Sequence, residues 1–397
     1  MLSTEQIKAE ASAYGDEIIS FRRHLHMHPE TGFDTEETEK FIKTFLAKEN
    51  IEVLKSTVGV IGKISAGRNK RPGCVALRAD MDALPLTEAN NTSYKSQTPG
   101  KMHACGHDGH TSMLMGAAHI LNSHRDELLH DIILIFQPAE EGPKLGGARI
   151  MIKDLDKLDI TNNIISISAL HVTTEYPCGQ ILIGYGPMMA STDEFDIEIT
   201  GVGGHCSAPH KAVDAMSLAA KFVIEMESFI AKRIDPLDSV VCGIGTLNAG
   251  TARNIIPQTA TMTGSLRCQR EESRQFVLDG IDKLLKALCE YSGATYKLAT
   301  RHGLPVLVTN DDKTAQVEVF AQEIAGFDKT IRLKHSNMGS EDFAYLAERI
   351  PATFSWLGVR NEAKGFTHMM HNPKFDMDES ALPIGCALLC KIAITIK

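Results

Sequence analysis

Ile132-Ile133-Leu134-Ile135-Phe136-Gln137-Pro138-Ala139-Glu140-Glu141-Gly142 is the stretch on which the fold turns. Its unbroken apolar run, rich in β-branched residues, predicts a strand covered on both faces, as at the centre of a largely parallel α/β sheet. The run passes straight into two adjacent carboxylates. Carboxylates at the exit of a buried strand are poor solvent decoration, and in open α/β sheets sites form beyond the carboxyl ends of the strands. Neighbouring side chains point differently, so one carboxylate is free to ligate a metal while the other meets a bound water.

The same arrangement recurs twice. Ile164-Ile165-Ser166-Ile167-Ser168-Ala169-Leu170 is a second buried strand and delivers His171. Cys74-Val75-Ala76-Leu77-Arg78 is a third, followed by Asp80-Met81-Asp82, an acidic pair suited to a metal or to orienting a ligand. Between them lies Met102-His103-Ala104-Cys105-Gly106-His107-Asp108-Gly109-His110, with one thiol, three imidazoles and a carboxylate in nine residues. Thiolate and imidazole are good ligands for zinc and other borderline divalent metals. These polar groups follow neither strand nor helix period, whereas Thr111–Leu121 reads as a buried helix. The cluster is therefore expected on a loop at a helix N-terminus, where the helix dipole favours a Cys105 thiolate.

The bulk composition narrows the function classes. A chain of 397 residues exceeds one ordinary core, so two domains are expected. Hydrophobic content of 43% and charged content of 23% are those of a soluble globular protein. A net charge of −9 without a Lys/Arg run argues against a nucleic-acid partner. No apolar run is long enough to span a membrane, and the opening residues lack the basic and apolar segments of a signal peptide. Nine scattered cysteines, an odd number, point to free thiols in a reducing, cytoplasmic setting.

Along the chain, residues 5–28 read as one helix stopped by Pro29. It carries His24, His26 and His28, which do not all share a face and are read as structural. The character changes near residue 190. Phe195-Asp196-Ile197-Glu198-Ile199-Thr200 and the stretch 258–267 alternate apolar with polar, and helical patterns occupy 211–231 and 270–292. An antiparallel sheet with helices on one face follows. Residues 190–303 therefore read as a domain inserted into a first one made of 1–189 and 304–397. Its loop Gly201–His210 sets His205 in a glycine-rich backbone, and His371 arrives late in Met370–Phe375.

Cys105, His107, Glu141, His171 and His371 exceed the four ligands of one closed zinc site. They suit a pair of metals sharing a water, whose pKa two metals lower. Glu140 beside them would take the water's proton and pass it to a leaving nitrogen, which is the chemistry of amide hydrolysis.

His103–Asp108, Gln137–Gly142, Gly203-Gly204-His205 with Pro209-His210, Asn254-Ile255-Ile256-Pro257, Gly339-Ser340-Glu341-Asp342-Phe343 and His371-Asn372-Pro373 stand in that order. Together they resemble the aminoacylase / hippurate hydrolase / indoleacetyl-amino-acid hydrolase family of metallopeptidases, over nearly the whole chain. The resemblance implies an α/β fold, with a mixed-sheet, two-metal, exopeptidase-like catalytic domain and an inserted α+β domain for dimerisation and as a lid. It implies Cys105, His107, Glu141, His171 and His371 as ligands of two divalent metals per subunit, which could be zinc, manganese, cobalt or nickel. It also implies Glu140 as base, Asp82 as a carboxylate supporting the ligands and His205 as a lid histidine at the oxyanion. Asn254 and Arg267 would contact the substrate carboxylate. The substrate would be a small N-acyl amino acid or peptide, and the assembly a homodimer or higher homo-oligomer.

Many relatives place His-x-Asp where this chain has Asp80-Met81-Asp82, and a bridging Asp where it offers Cys105 or Asp108. A nucleobase deaminase is excluded because Pro177-Cys178 lacks the second cysteine of its signature. A Cys105 nucleophile would leave the glutamate pair without a role. The remaining alternative is a non-catalytic metal-binding scaffold descended from such an enzyme, which would usually have lost the base or a ligand.

Overall fold

The computed structural model describes residues 2–67, 70–142 and 146–397. They form two compact units. One runs to Gly186 and resumes over Val308–Ser336 and Asp342–Lys397; the other comprises Pro187–Leu307 and Asn337–Glu341. The second unit takes in the short returning segment because Asn337 N–H donates to Met188 O and Ala190 N–H donates to Gly339 O.

The first unit centres on an eight-stranded mixed sheet. In sheet order its strands are Glu52–Leu54, Val60–Ile64, Asp131–Gln137, Cys74–Asp80, Ile164–Pro177, Ala352–Arg360, Ile181–Ile183 and Thr330–Arg332. Cys74–Asp80 runs parallel to both its neighbours, and Ala352–Arg360 runs parallel to Ile164–Pro177. Successive residues of a strand face opposite sides, and Ile132 to Gln137 are all buried, so this strand is covered on both faces. The helices Gly15–Met27, His107–Ser123 and Leu382–Thr395 pack on one another. Leu382–Thr395 is apolar on nearly all sides, as a helix running through a core must be.

The single helix expected over 5–28 is instead two, Thr4–Ala13 and Gly15–Met27. Tyr14 departs from helical backbone (φ −90°, ψ 8°), and the chain restarts at glycine, which is costly inside a helix. The three histidines also divide. His24 and His28, four apart, do share a face, with ring centroids 4.6 Å apart. His26 turns inward instead.

The second unit holds a four-stranded antiparallel sheet, in the order Val240–Ala249, Thr259–Cys268, Ser191–Thr200, Thr295–His302. Helices Ala215–Arg233 and Glu271–Ser292 cover one face. The alternation read from the sequence is the cause: Phe195, Ile197 and Ile199 enter the core with Phe222, Met262 and Leu285, while Glu194, Asp196 and Glu198 face out. Among the described residues no helix is long and apolar enough to cross a membrane.

Candidate metal centre

Parallel register brings the chemistry together. Cys74–Asp80 aligns Asp80 with Gln137 on one side and Arg78 with Ala169 on the other. The segments leaving these strands therefore set Asp82, Glu140, Glu141 and His171 near one another. His171 is not at a strand end as expected. Its strand continues to Pro177, because Ala352–Arg360 keeps pairing with it, Trp356 opposite His171.

The turn carrying the glutamates is held by Asp82. Its carboxylate accepts the Glu140 N–H at 3.0 Å and the Glu141 N–H at 3.2 Å. Ala139 before them lies in the left-handed region (φ 56°), and so does His371 (φ 64°). Non-glycine residues hold such backbone only where their surroundings over-determine it, and such positions cluster at functional sites. Gly147 backs this turn, donating to Ala139 O; a Cβ there would stand 1.8 Å from Pro138 O. Gly106, at φ 88°, closes the loop before the helix His107–Ser123, where a Cβ would meet Val172 at 2.3 Å.

Hydrogen bonds to carbonyls, which only accept, fix the imidazoles. His107 Nδ1–H donates to Asp82 O at 2.8 Å, nearer than the Asp82 carboxylate at 3.5 Å. This leaves Nε2 of His107 fully buried without a hydrogen-bond partner. His171 Nδ1–H donates to Val172 O at 2.7 Å, and its Nε2 lies 3.6 Å from Cys105 Sγ. The ligand atoms of Cys105, Glu141 and His371 lie within 4.8 Å of one another, as do those of His107, Glu140 and Glu141. His371 Nε2 approaches Glu141 Oε1 to 2.7 Å without hydrogen-bond geometry. The five residues read as ligands, and Glu140 with them, thus form one linked cluster.

The sequence marked Asp80 as half of an acidic pair and His110 as part of the polar loop, but not their pairing with Arg78 and a backbone amide. Asp80 and His110 join His107 and His171 within the same 4.8 Å limit. Neither has a spare donor atom, however. His110 donates from Nδ1 to Asp80 at 2.5 Å and accepts the Val172 N–H at Nε2. The other Asp80 oxygen accepts from Arg78, whose guanidinium also reaches Gln137 and Asp342. The signal was present in Arg78, a charge inside a buried strand, which needs carboxylates around it. Asp108, the other candidate bridge, faces elsewhere. It accepts from Arg22 at 2.8 Å and from His26 at 2.7 Å, all three side chains being buried.

The electrostatics run against one expectation. Burial, together with Glu141, Glu140 and Asp80, pushes the Cys105 thiol well above its ordinary value. Burial and these carboxylates act against the helix N-terminus, which favours the thiolate. The same field favours positive charge at His107. Burial opposes that charge, but Asp80, Asp82 and Glu141 raise the imidazole to about 10. Burial and neighbouring His110 hold His171 well below its usual range, so its Nε2 lone pair is available. A divalent cation suits this donor set: a thiol, three imidazoles and a carboxylate in a negative field, with His107 Nε2 buried and without a hydrogen-bond partner.

His205, Asn254 and Arg267 belong to the second unit. Its two-stranded ladder Gly204–His205 with Ile255–Ile256 pairs His205 with Ile255, and Cys206 N–H donates to Asn254 O at 3.2 Å. His205 and Asn254, distant in sequence, are thus neighbours. Arg267, on Thr259–Cys268, donates from Nη1 to Met338 O at 3.0 Å.

Residues 76–395 match the family model described as peptidase family M20/M25/M40. The chain is 36% identical over 395 residues to thermostable carboxypeptidase 2 of Saccharolobus solfataricus, covering 98% of both chains. It is 37% identical over 385 residues to IAA-amino acid hydrolase ILR1-like 2 of Arabidopsis thaliana, covering 96% of this chain and 85% of that one. The crystal structure of Bacillus subtilis YXEP, described as a dinuclear metal binding peptidase from the M20 family, superposes with a TM-score of 0.82 at 32% identity, over 96% of this chain and 98% of that one. A cluster able to hold metal, and these likenesses, lead to one conclusion: the chain belongs to peptidase family M20/M25/M40 and is a metal-dependent hydrolase of amide bonds.

Proposed function

We propose that this hydrolase cleaves N-acyl amino acids or small dipeptides bearing a free carboxylate, using two divalent cations. Cys105, His107, Glu141, His171 and His371 would hold them. The reading rests on one observation above all: Cys105, Glu141 and His371 converge beside His107 and Glu140, with His107 Nε2 buried and without a hydrogen-bond partner. When bound, the cations supply Lewis acidity for the scissile carbonyl and for the attacking water. Zinc suits the sulfur ligand, while manganese, cobalt and nickel suit the imidazoles and carboxylate.

Glu140 acts as the general base. It takes the proton of the attacking water and delivers it to the leaving nitrogen as the tetrahedral intermediate collapses. Asp82 fixes the backbone of the glutamate turn. His205 donates a hydrogen bond to the developing oxyanion. Asn254 and Arg267 hold the substrate carboxylate. The relatives named for carboxypeptidase and amino acid conjugate hydrolysis both act at a bond beside an amino acid, which supports that substrate class. The second unit serves as dimerisation and lid domain, and the free cysteines suit a reducing, cytoplasmic compartment.

The test pairs two substitutions with metal analysis on a panel of N-acyl amino acids. Glu140→Gln should lower kcat by about 10²–10⁴ with metal content unchanged. Glu141→Gln should lose metal as well as activity. Near-normal turnover of Glu140→Gln removes it as base, and full activity after exhaustive chelation sinks the metal mechanism.

A further inference from the structure

The histidine that the proposed mechanism places at the oxyanion is itself held by a neighbour two residues on. Ser207 N–H lies 3.1 Å from His205 Nδ1, and Ser207 Oγ lies 2.9 Å from the same nitrogen. A backbone N–H can only donate, so Nδ1 must accept and carries no proton. The neutral ring then bears its hydrogen on Nε2, as a donor to an oxyanion requires. The ring is also positioned from its own backbone. His205 pairs with Ile255 across the short ladder, and Ala208 N–H donates to His205 O at 2.8 Å, closing the turn beneath the imidazole. Among the described contacts Ser207 is the side chain that reaches the ring, and it does so on the edge away from Nε2.

From these contacts we infer that Ser207 is a positioning residue for the hydrolytic reaction: it locks His205 in the Nε2–H tautomer and aims that hydrogen outward. The inference rests on the reading of His205 as oxyanion donor, but its central claim, the tautomer, is measured without reference to turnover. No bond is made or broken at Ser207. Its hydroxyl hydrogen and its amide hydrogen share the Nδ1 lone pair in the resting enzyme and throughout the cycle. The benefit is orientational. A ring free to rotate about its Cβ–Cγ bond would present Nε2–H to the oxyanion for only part of the time, and the loss would fall on the transition state rather than on substrate binding.

The experiment uses the full-length, zinc-loaded enzyme. Nitrogen-15 spectra of imidazole-labelled protein, with the His205 signals assigned by difference against His205→Gln, should show a pyrrole-type Nε2 and a pyridine-type Nδ1. A protonated Nδ1 in the wild type overturns the inference. In parallel, Ser207→Ala should lower kcat about tenfold, the lower end for loss of an outer partner of an active-site group. KM and zinc content should stay unchanged, and Ser207→Thr, which keeps the hydroxyl, should restore most of the rate. If Ser207→Ala turns over like wild type while His205→Ala loses about 10²–10³ in kcat, the positioning role fails and the oxyanion reading stands. If His205→Ala itself keeps wild-type turnover, the oxyanion reading fails, whatever tautomer the spectra report.

Discussion

Asp82 does two things at once. Its backbone oxygen orients His107, and its carboxylate caps the two amides of the glutamate turn. Burial raises its pKa, while nearby His107 and the amide of Glu140 lower it. An asparagine has the same shape but turns an NH₂ group toward one of those amides. Asp82→Asn should therefore loosen the turn, lowering both kcat and zinc affinity by about 10–100-fold. Activity assays and competition with a chromogenic chelator read the two effects, and unchanged values for both would mean that the strained Ala139 backbone holds without help. Cys105, His107, Glu140 and Glu141, the residues proposed for the site that lie closest in sequence, stood out because the glutamates follow an apolar strand and the other two sit in a dense polar loop. The pairing of the supporting groups was not legible there. His110 lies in the same loop as His107, and only the fold reveals that its two nitrogens are occupied by Asp80 and a backbone amide.

At the scale of elements, the last helix carries more of the site than its distance in sequence suggests. Leu382–Thr395 packs on His107–Ser123, the helix that follows the Cys105 loop. Asp378 caps the 3₁₀ turn Glu379–Ala381 that leads into it, accepting from the Ser380 amide and hydroxyl and from Lys364 and Asn361. Burial opposes ionisation of Asp378, but these partners carry its pKa from 3.8 down to about 2. A carboxyl whose folded value is depressed stabilises the fold fully above its unfolded value and loses that contribution as pH falls through the folded one. The window here runs from about pH 4 down to about pH 2. Asp378→Ala should cost about 1–2 kcal/mol at neutral pH, the usual loss for a helix cap. Urea unfolding followed from pH 6 to pH 2 should show a shallower acid loss in the variant than in the wild type, and parallel curves would remove Asp378 as a source of acid sensitivity. Element types in both units follow from hydrophobic period, because burial itself creates the period. The continuation of the His171 strand to Pro177 was hidden, since it depends on pairing with Ala352–Arg360, remote in sequence.

At the scale of the molecule, the second unit raises the question of assembly. Its sheet has two edges. Thr295–His302 carries Lys297 and Arg301, paired with Glu198, Glu194 and Asp196 on the adjoining strand, and charge of this kind blunts an edge against pairing. Val240–Ala249 instead exposes Val241 and Leu247. An exposed apolar edge invites a second copy, and a two-fold pairing closes the assembly at a dimer. Light scattering on the purified chain should therefore give twice the mass of one subunit. If the dimer also joins each site to His205 of the partner subunit, two inactive variants should help each other. Glu140→Gln lacks the base and His205→Ala lacks the oxyanion donor. A mixed dimer holds one site missing both groups and one site with both intact. Random exchange makes half of the dimers mixed, so the mixture should recover about a quarter of wild-type activity, given that a dimer is the closed state. Exchange is verified first with differently tagged subunits. Recovery of that size places His205 across the interface, whereas a verified exchange with no recovery confines it to its own chain.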